Sequence, residues 1–200
     1  MRNLMIAFAL TFAVACNNQT ETQEGAAHDE TAHDDGSTHV METDTKSTVS
    51  TEPNFKIEKT AHQDLLRSFY SEYINLKEGL VAEDNQRTDK AAKEMRSIIT
   101  DASFNELEGE AHDHVAQIGR DVIHMVEHSE IEEQRNYLNS LSTSLFTLLK
   151  AGDIQTEAYL QHCPMAFNNQ GAYWVSDKEE IRNPYYGDKM LKCGSVKETL

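Results

Sequence analysis

The sequence predicts a mainly α protein: an up-down four-helix bundle, followed by a small C-terminal β-hairpin and a turn-rich loop rich in cysteine and methionine. Three observations lead to that class. Between residues 58 and 152, apolar side chains recur at alternating spacings of three and four, which marks one buried face of a helix. Short polar or glycine-containing breaks separate these stripes, and helices joined so closely pack antiparallel. After Gly152 the pattern changes to short apolar runs bounded by Asn, Gly and Pro clusters, which reads as strands and turns.

The first helix runs from about Glu58 to Ala82 and carries Leu66, Phe69, Tyr73, Leu76 and Leu80 on its buried face. Glu83-Asp84-Asn85 breaks it, and Asp84 or Asn85 can cap the second helix, about residues 86–102, with Ala91, Met95 and Ile98 inward. Gly109 and its acidic neighbours form a connection. The third stripe is Val115, Ile118, Val122 and Met125; the fourth is Ile131, Leu138, Leu141, Leu145 and Leu148, ending near Gly152 as a plausible cap. Gln134 falls on the fourth stripe, so it needs a buried hydrogen-bond partner, Arg135 or a backbone carbonyl across the bundle. Beyond Gly152, Tyr159 to Cys163 reads as a strand, Asn168 to Gly171 as a turn, and Ala172 to Val175 as the returning strand. Asn183-Pro184-Tyr185-Tyr186-Gly187 is a second turn cluster.

Charge excludes one class of partner. Thirty-four acids stand against 18 Lys and Arg, a formal net charge of −16, with no basic cluster to meet a phosphate backbone. No apolar run reaches the ~18–20 residues that span a bilayer. Nor is there a Ser/His/Asp arrangement, a CxxC pair, a phosphate loop or a dinucleotide fingerprint, so the sequence predicts no enzyme.

Residues 1–16 read as a signal peptide. Arg2 precedes a largely apolar stretch from Leu4 to Ala15, and Ala13-Val14-Ala15-Cys16 resembles the lipobox of bacterial lipoproteins. That resemblance implies lipidation at Cys16, anchorage to a membrane by acyl chains alone, and a place in the exported cell envelope. Residues 17–54 hold nine acids against one base and only six apolar residues, too few to offset the entropy of ordering. The expectation is an acidic tether, with His28, His33 and His39 as weak metal donors within it. Residues 55–200 are then the folded domain.

Two clusters carry candidate metal chemistry. On the third helix, His114, Gln117, Asp121, His124 and His128 follow a 3-4-3-4 spacing, so His114, Asp121, His124 and His128 are a possible secondary site for a divalent ion. The C-terminal region, residues 155–198, gathers softer donors: His162, Cys163, Met165, Met190 and Cys193. Thiolates and thioethers select soft ions, above all Cu(I), with Ag(I) able to substitute. The same two cysteines can instead form a disulfide, natural in an oxidising compartment and closing a loop of ~30 residues. In that alternative the domain is a metal-free interaction module, docking through Tyr173, Trp174, Tyr185 and Tyr186.

The C-terminal run resembles the signature of a bacterial family, domain of unknown function 3347. The blocks are Cys163-Pro164-Met165-Ala166, Gly171 to Ser176, Ile181 to Gly187 and Met190 to Gly194, and Ile131 to Arg135 is similar to the family's helical part. Such domains occur as exported proteins and fused to adaptors of copper and silver efflux systems. The resemblance therefore implies soft-metal handling at Cys163, Met165, Met190 and Cys193, with metal-efflux or copper-handling envelope proteins as partners. The function it implies is binding of Cu(I) for buffering or for delivery to such a partner.

Overall fold

A computed structural model describes residues 50–200, which lie within one compact unit. Four long helices come first: α1, Thr60–Ala82; α2, Asn85–Ile99; α3, Gly109–Glu127; and α4, Ile131–Gly152. Each packs on the next, and α4 closes the bundle against α1. Three strands follow: β1, Tyr159–Cys163; β2, Ala172–Ser176; and β3, Ser195–Thr199. The expectation of a mainly helical protein with a bundle holds. The expected hairpin is the β1–β2 part of a three-stranded antiparallel sheet in the order β2-β1-β3. The third strand carries only Val196 as an apolar residue in the run Ser-Val-Lys-Glu-Thr. It sits at the edge with alternating exposure, so no apolar run announces it.

The helix ends follow local chemistry. Asp84 caps α2, its carboxylate accepting the Arg87 N–H at 3.0 Å. Gly152 does not take the left-handed position after α4; Asp153 does, at φ 46°. A Cβ on Gly152 would lie 3.2 Å from Leu66 and 3.1 Å from Ile154, so the glycine serves close packing instead. Gln134 finds its partner across the bundle, donating to the Met125 carbonyl at 3.0 Å and to Asp89 at 3.2 Å. Arg135 is engaged elsewhere.

The sheet is too small to bury a core of its own. It borrows one from the bundle through β2, whose outer edge would otherwise present unpaired amides. The Tyr173 N–H donates to Asn139 Oδ1 of α4 at 2.8 Å, and the Val175 N–H donates to the Tyr73 hydroxyl of α1 at 2.9 Å. Tyr73 is fully buried and its oxygen stands 2.6 Å from Ser142 Oγ. Because Ser142 donates to the Leu138 carbonyl, the Tyr73 hydroxyl donates to Ser142 and still accepts from Val175. Burial drives the Tyr73 phenol well above its usual range. Below the strand, Lys77 is buried with Glu78 at 2.6 Å and Asp177 at 3.6 Å, and Arg182 reaches Glu78 at 2.6 Å.

The chain before α1 is also tied in. Thr51 is buried and bonds to Glu198 of β3, and Lys150 of α4 pairs with both Glu52 and Glu198. These contacts begin four residues before the boundary that composition suggests.

Replacing Tyr73 with Phe removes one hydroxyl and strands the buried Val175 amide. The expected cost is about 1–3 kcal/mol in urea unfolding, with faster amide exchange at Val175 than in the helices. An unchanged midpoint would show that this edge contact does not hold the sheet.

Candidate functional site

The site forms where the end of β1 meets the loop between β2 and β3. Several buried groups fix that loop. Asn183 is fully buried: its side-chain amide donates to the Cys193 carbonyl at 3.0 Å, its Oδ1 accepts the Tyr185 N–H at 2.8 Å, and its backbone N–H donates to the Leu191 carbonyl at 2.8 Å. Arg135, also buried, donates to the Pro184 carbonyl at 2.8 Å, to the Leu80 carbonyl at 3.1 Å and to Glu132 at 2.7 Å. The Tyr185 hydroxyl donates to the Tyr173 carbonyl. Gly194, at φ 148°, lets the chain pass over Trp174, where a Cβ would meet the indole at 2.7 Å.

This scaffold brings Cys193 to Cys163. Their sulfurs are 2.9 Å apart and both thiols are free. A disulfide needs about 2.05 Å. Two thiolates on one tetrahedral ion, at about 2.3 Å each, would stand about 3.8 Å apart. Changes of less than an ångström in sulfur separation therefore divide the free pair from either state. Cys163 is fully buried and Cys193 is half-buried, so any approach is from the Cys193 side.

The backbones of both methionines adjoin the pair. The Cys193 N–H donates to the Met190 carbonyl at 2.9 Å, and the Met165 backbone hydrogen-bonds to the Cys193 thiol. The Met165 side chain is 49% exposed, so its thioether is available at the surface. Right after Met165 the chain makes a tight turn, Ala166–Asn169, in which Phe167, Asn168 and Asn169 all have positive φ of 50°, 57° and 69°. Asparagine tolerates this region; phenylalanine pays roughly 1–2 kcal/mol for it. The Phe167 ring packs edge-on to Tyr185 at 5.4 Å, and the Tyr186 hydroxyl donates to the Met165 carbonyl at 2.7 Å. The strained turn thus lies directly beside the thiol pair.

His162 is not brought to the thiols. Alternation along β1 sends it to the face opposite Cys163. It is buried there with its ring against Tyr173, centroids 4.4 Å apart, beneath Gly171, where a Cβ would come within 2.5 Å of the imidazole. The four expected docking aromatics are also mostly internal. Trp174 and Tyr185 are buried and pack edge to face at 6.1 Å, while Tyr173 and Tyr186 are half-buried.

The stripe on α3 divides. His114 lies ten residues before His124, about 15 Å along the axis, and stands 3.8 Å from Glu110. Asp121 turns inward. It is buried, receives both contacts of the Gln117 amide at 3.0 and 3.1 Å, and burial raises its carboxyl above the usual range. His124 and His128 do come together, and the third member is Glu127: the ligating atoms of the three lie within 4.8 Å of one another. His114 and Asp121 are not among the grouped donors. The i, i+3, i+4 spacing of His124, Glu127 and His128 was the sequence signal for Glu127; the longer 3-4 stripe drew attention away from it.

Comparison with known proteins bears on the helical half. The family model described as "Protein of unknown function (DUF3347)" matches residues 69–157. Over that segment the chain is similar to the DUF3347 family. The DUF3347 segment includes Tyr73, Arg135 and Asn139, the residues that dock the sheet and its loop, and it stops six residues before Cys163. No curated protein and no solved structure matches the chain. No helix among the described residues is long and apolar enough to cross a membrane. Cys16 and the histidines at 28, 33 and 39 lie outside the described residues.

Burial and the neighbouring Cys163 thiol push the Cys193 thiol above its ordinary range, against the opposing Met165 backbone contact. A raised native pKa means that the protonated thiol stabilises the fold below the unfolded thiol's pKa of about 8.5. That contribution is lost as pH rises through the higher native value. Under reducing, metal-free conditions, stability should therefore fall with rising alkalinity, and Cys193→Ser should remove that part of the slope. The same alkaline slope in wild type and variant would show that Cys193 is not its source.

Proposed function

We propose that this chain is a lipid-anchored envelope protein that binds a soft metal ion, Cu(I), and buffers it or delivers it to an efflux or insertion partner. The observation that carries the reading is the pairing of Cys163 and Cys193. Two thiols thirty positions apart are held 2.9 Å from each other by a loop pinned through Asn183 and Arg135. Paired thiolates suit a soft d¹⁰ ion, and thioethers are the natural further ligands, which gives Met165 and Met190 their role. The surface position of Met165 favours exchange with a partner over permanent storage. Cys16 supplies the anchor in this reading, and the acidic run that follows it supplies reach. Residues outside the thiol pair do not have to move far: a change of about an ångström in sulfur separation admits the ion.

The test is an anaerobic Cu(I) titration of the reduced chain against a competing chelator. One equivalent should bind, be lost in the Cys163→Ser/Cys193→Ser variant, and weaken about tenfold or more in Met165→Leu/Met190→Leu. Equal, poor competition by all three proteins would overturn the metal reading. If the protein isolated without reductant also lacks free thiols, the pair is a structural disulfide.

A further inference from the structure

The last turn of α3 carries a second set of donors that the thiol reading does not use. His124, Glu127 and His128 are all exposed, and their ligating atoms lie within 4.8 Å of one another. Two features hold the imidazoles in place. The His124 ring stacks on Tyr137 of α4 with centroids 4.8 Å apart and planes 6° apart, and His128 lies nearly parallel to it at 6.5 Å. His128 also ends the helix, its N–H donating to the His124 carbonyl at 3.0 Å.

Position adds to geometry. The end of a helix carries unsatisfied carbonyls and the negative pole of its dipole, which favours a cation. Glu130 follows at once, and Glu133 lies in the first turn of α4. The donor chemistry is selective. Two imidazoles and a carboxylate contain no sulfur, so they suit a borderline divalent ion rather than Cu(I). His₂Glu with free positions is a set that zinc accepts, leaving room for water or for a ligand from another molecule.

We propose that the C-terminal turn of α3 binds one borderline divalent ion, Zn(II) or Cu(II), through His124, Glu127 and His128, independently of the Cys163–Cys193 pair. The chain then offers two sites of different softness. The trio sits on the bundle, and its exposure makes it a low-affinity, fast-exchanging site open to a partner's ligand.

The experiment uses the full chain with His28→Asn, His33→Asn and His39→Asn to silence the N-terminal histidines, and Cys163→Ser/Cys193→Ser to silence the thiols. Zn(II) is titrated against a colorimetric chelator while histidine ring resonances are followed by NMR. One equivalent should bind, shifting the His124 and His128 rings and leaving that of His114 in place. Adding His124→Asn/His128→Asn should weaken binding by about tenfold or more, and Glu127→Gln should weaken it less. All three residues are exposed, so unchanged far-UV circular dichroism will show that the variants remain folded. Unchanged affinity in the histidine variant, shifts confined to other histidines, or no binding in the reference chain would overturn the proposal. Because Cys163 and Cys193 are replaced throughout, the outcome is separate from that of the Cu(I) titration.

Discussion

The rest of the structure depends on how the open edge of β2 is satisfied. A three-stranded sheet of five-residue strands cannot stand alone, and its outer strand presents amides that must be paired. Here two side chains of the bundle pair them, Asn139 of α4 and Tyr73 of α1. Tyr73 serves because its hydroxyl can accept from a strand amide and donate to Ser142 at the same time. The contact sets the height of β2 against the helices. Register with β1 then sets Cys163 opposite Ala172.

From that anchor the thiol site follows by a chain of buried contacts. β1 delivers Cys163 from one side. The loop after β2 delivers Cys193 from the other, held by Asn183 inside the loop and by Arg135 from the bundle. Arg135 links three things that are far apart in sequence: the end of α1, the start of α4 and the Pro184 carbonyl. Removing its positive charge from this position would leave carbonyls buried without a donor, which is costly whatever the role of the thiols. The strain stored at Phe167, Asn168 and Asn169 lies beside the same pair, where the surrounding hydrogen bonds can sustain it.

The two donor sets occupy different kinds of ground. The thiols are one buried and one half-buried group, in a rigid frame built from residues thirty positions apart. The histidines and Glu127 are exposed and come from a single helical turn. Local sequence alone specifies the second set, and so its spacing is legible; yet the sequence stripe selected Asp121 in place of Glu127. A 3-4 pattern tells which residues share a sector of the helix but not which of them turn toward the neighbouring helix. Asp121 faces the packed side, where Gln117 satisfies it, and the trio faces water.

What the sequence by itself determined is therefore the helical bundle, its breaks, and the chemical nature of the C-terminal donors. Helix periodicity and caps are local, and the 3-4 stripes are buried as their spacing implies, save Ile98 and Ile131 near helix ends, which are partly buried. The first two strands are also local signals. Three other matters were decided only in three dimensions. β3 is a polar edge strand, stable because β1 supplies its partners, so it has no apolar signature. His162 and Cys163 are neighbours in sequence but lie on opposite faces, since strand geometry separates successive side chains. The proximity of Cys163 and Cys193 arises from sheet register and from a loop fixed by Asn183 and Arg135, and these are long-range constraints that composition and spacing do not encode.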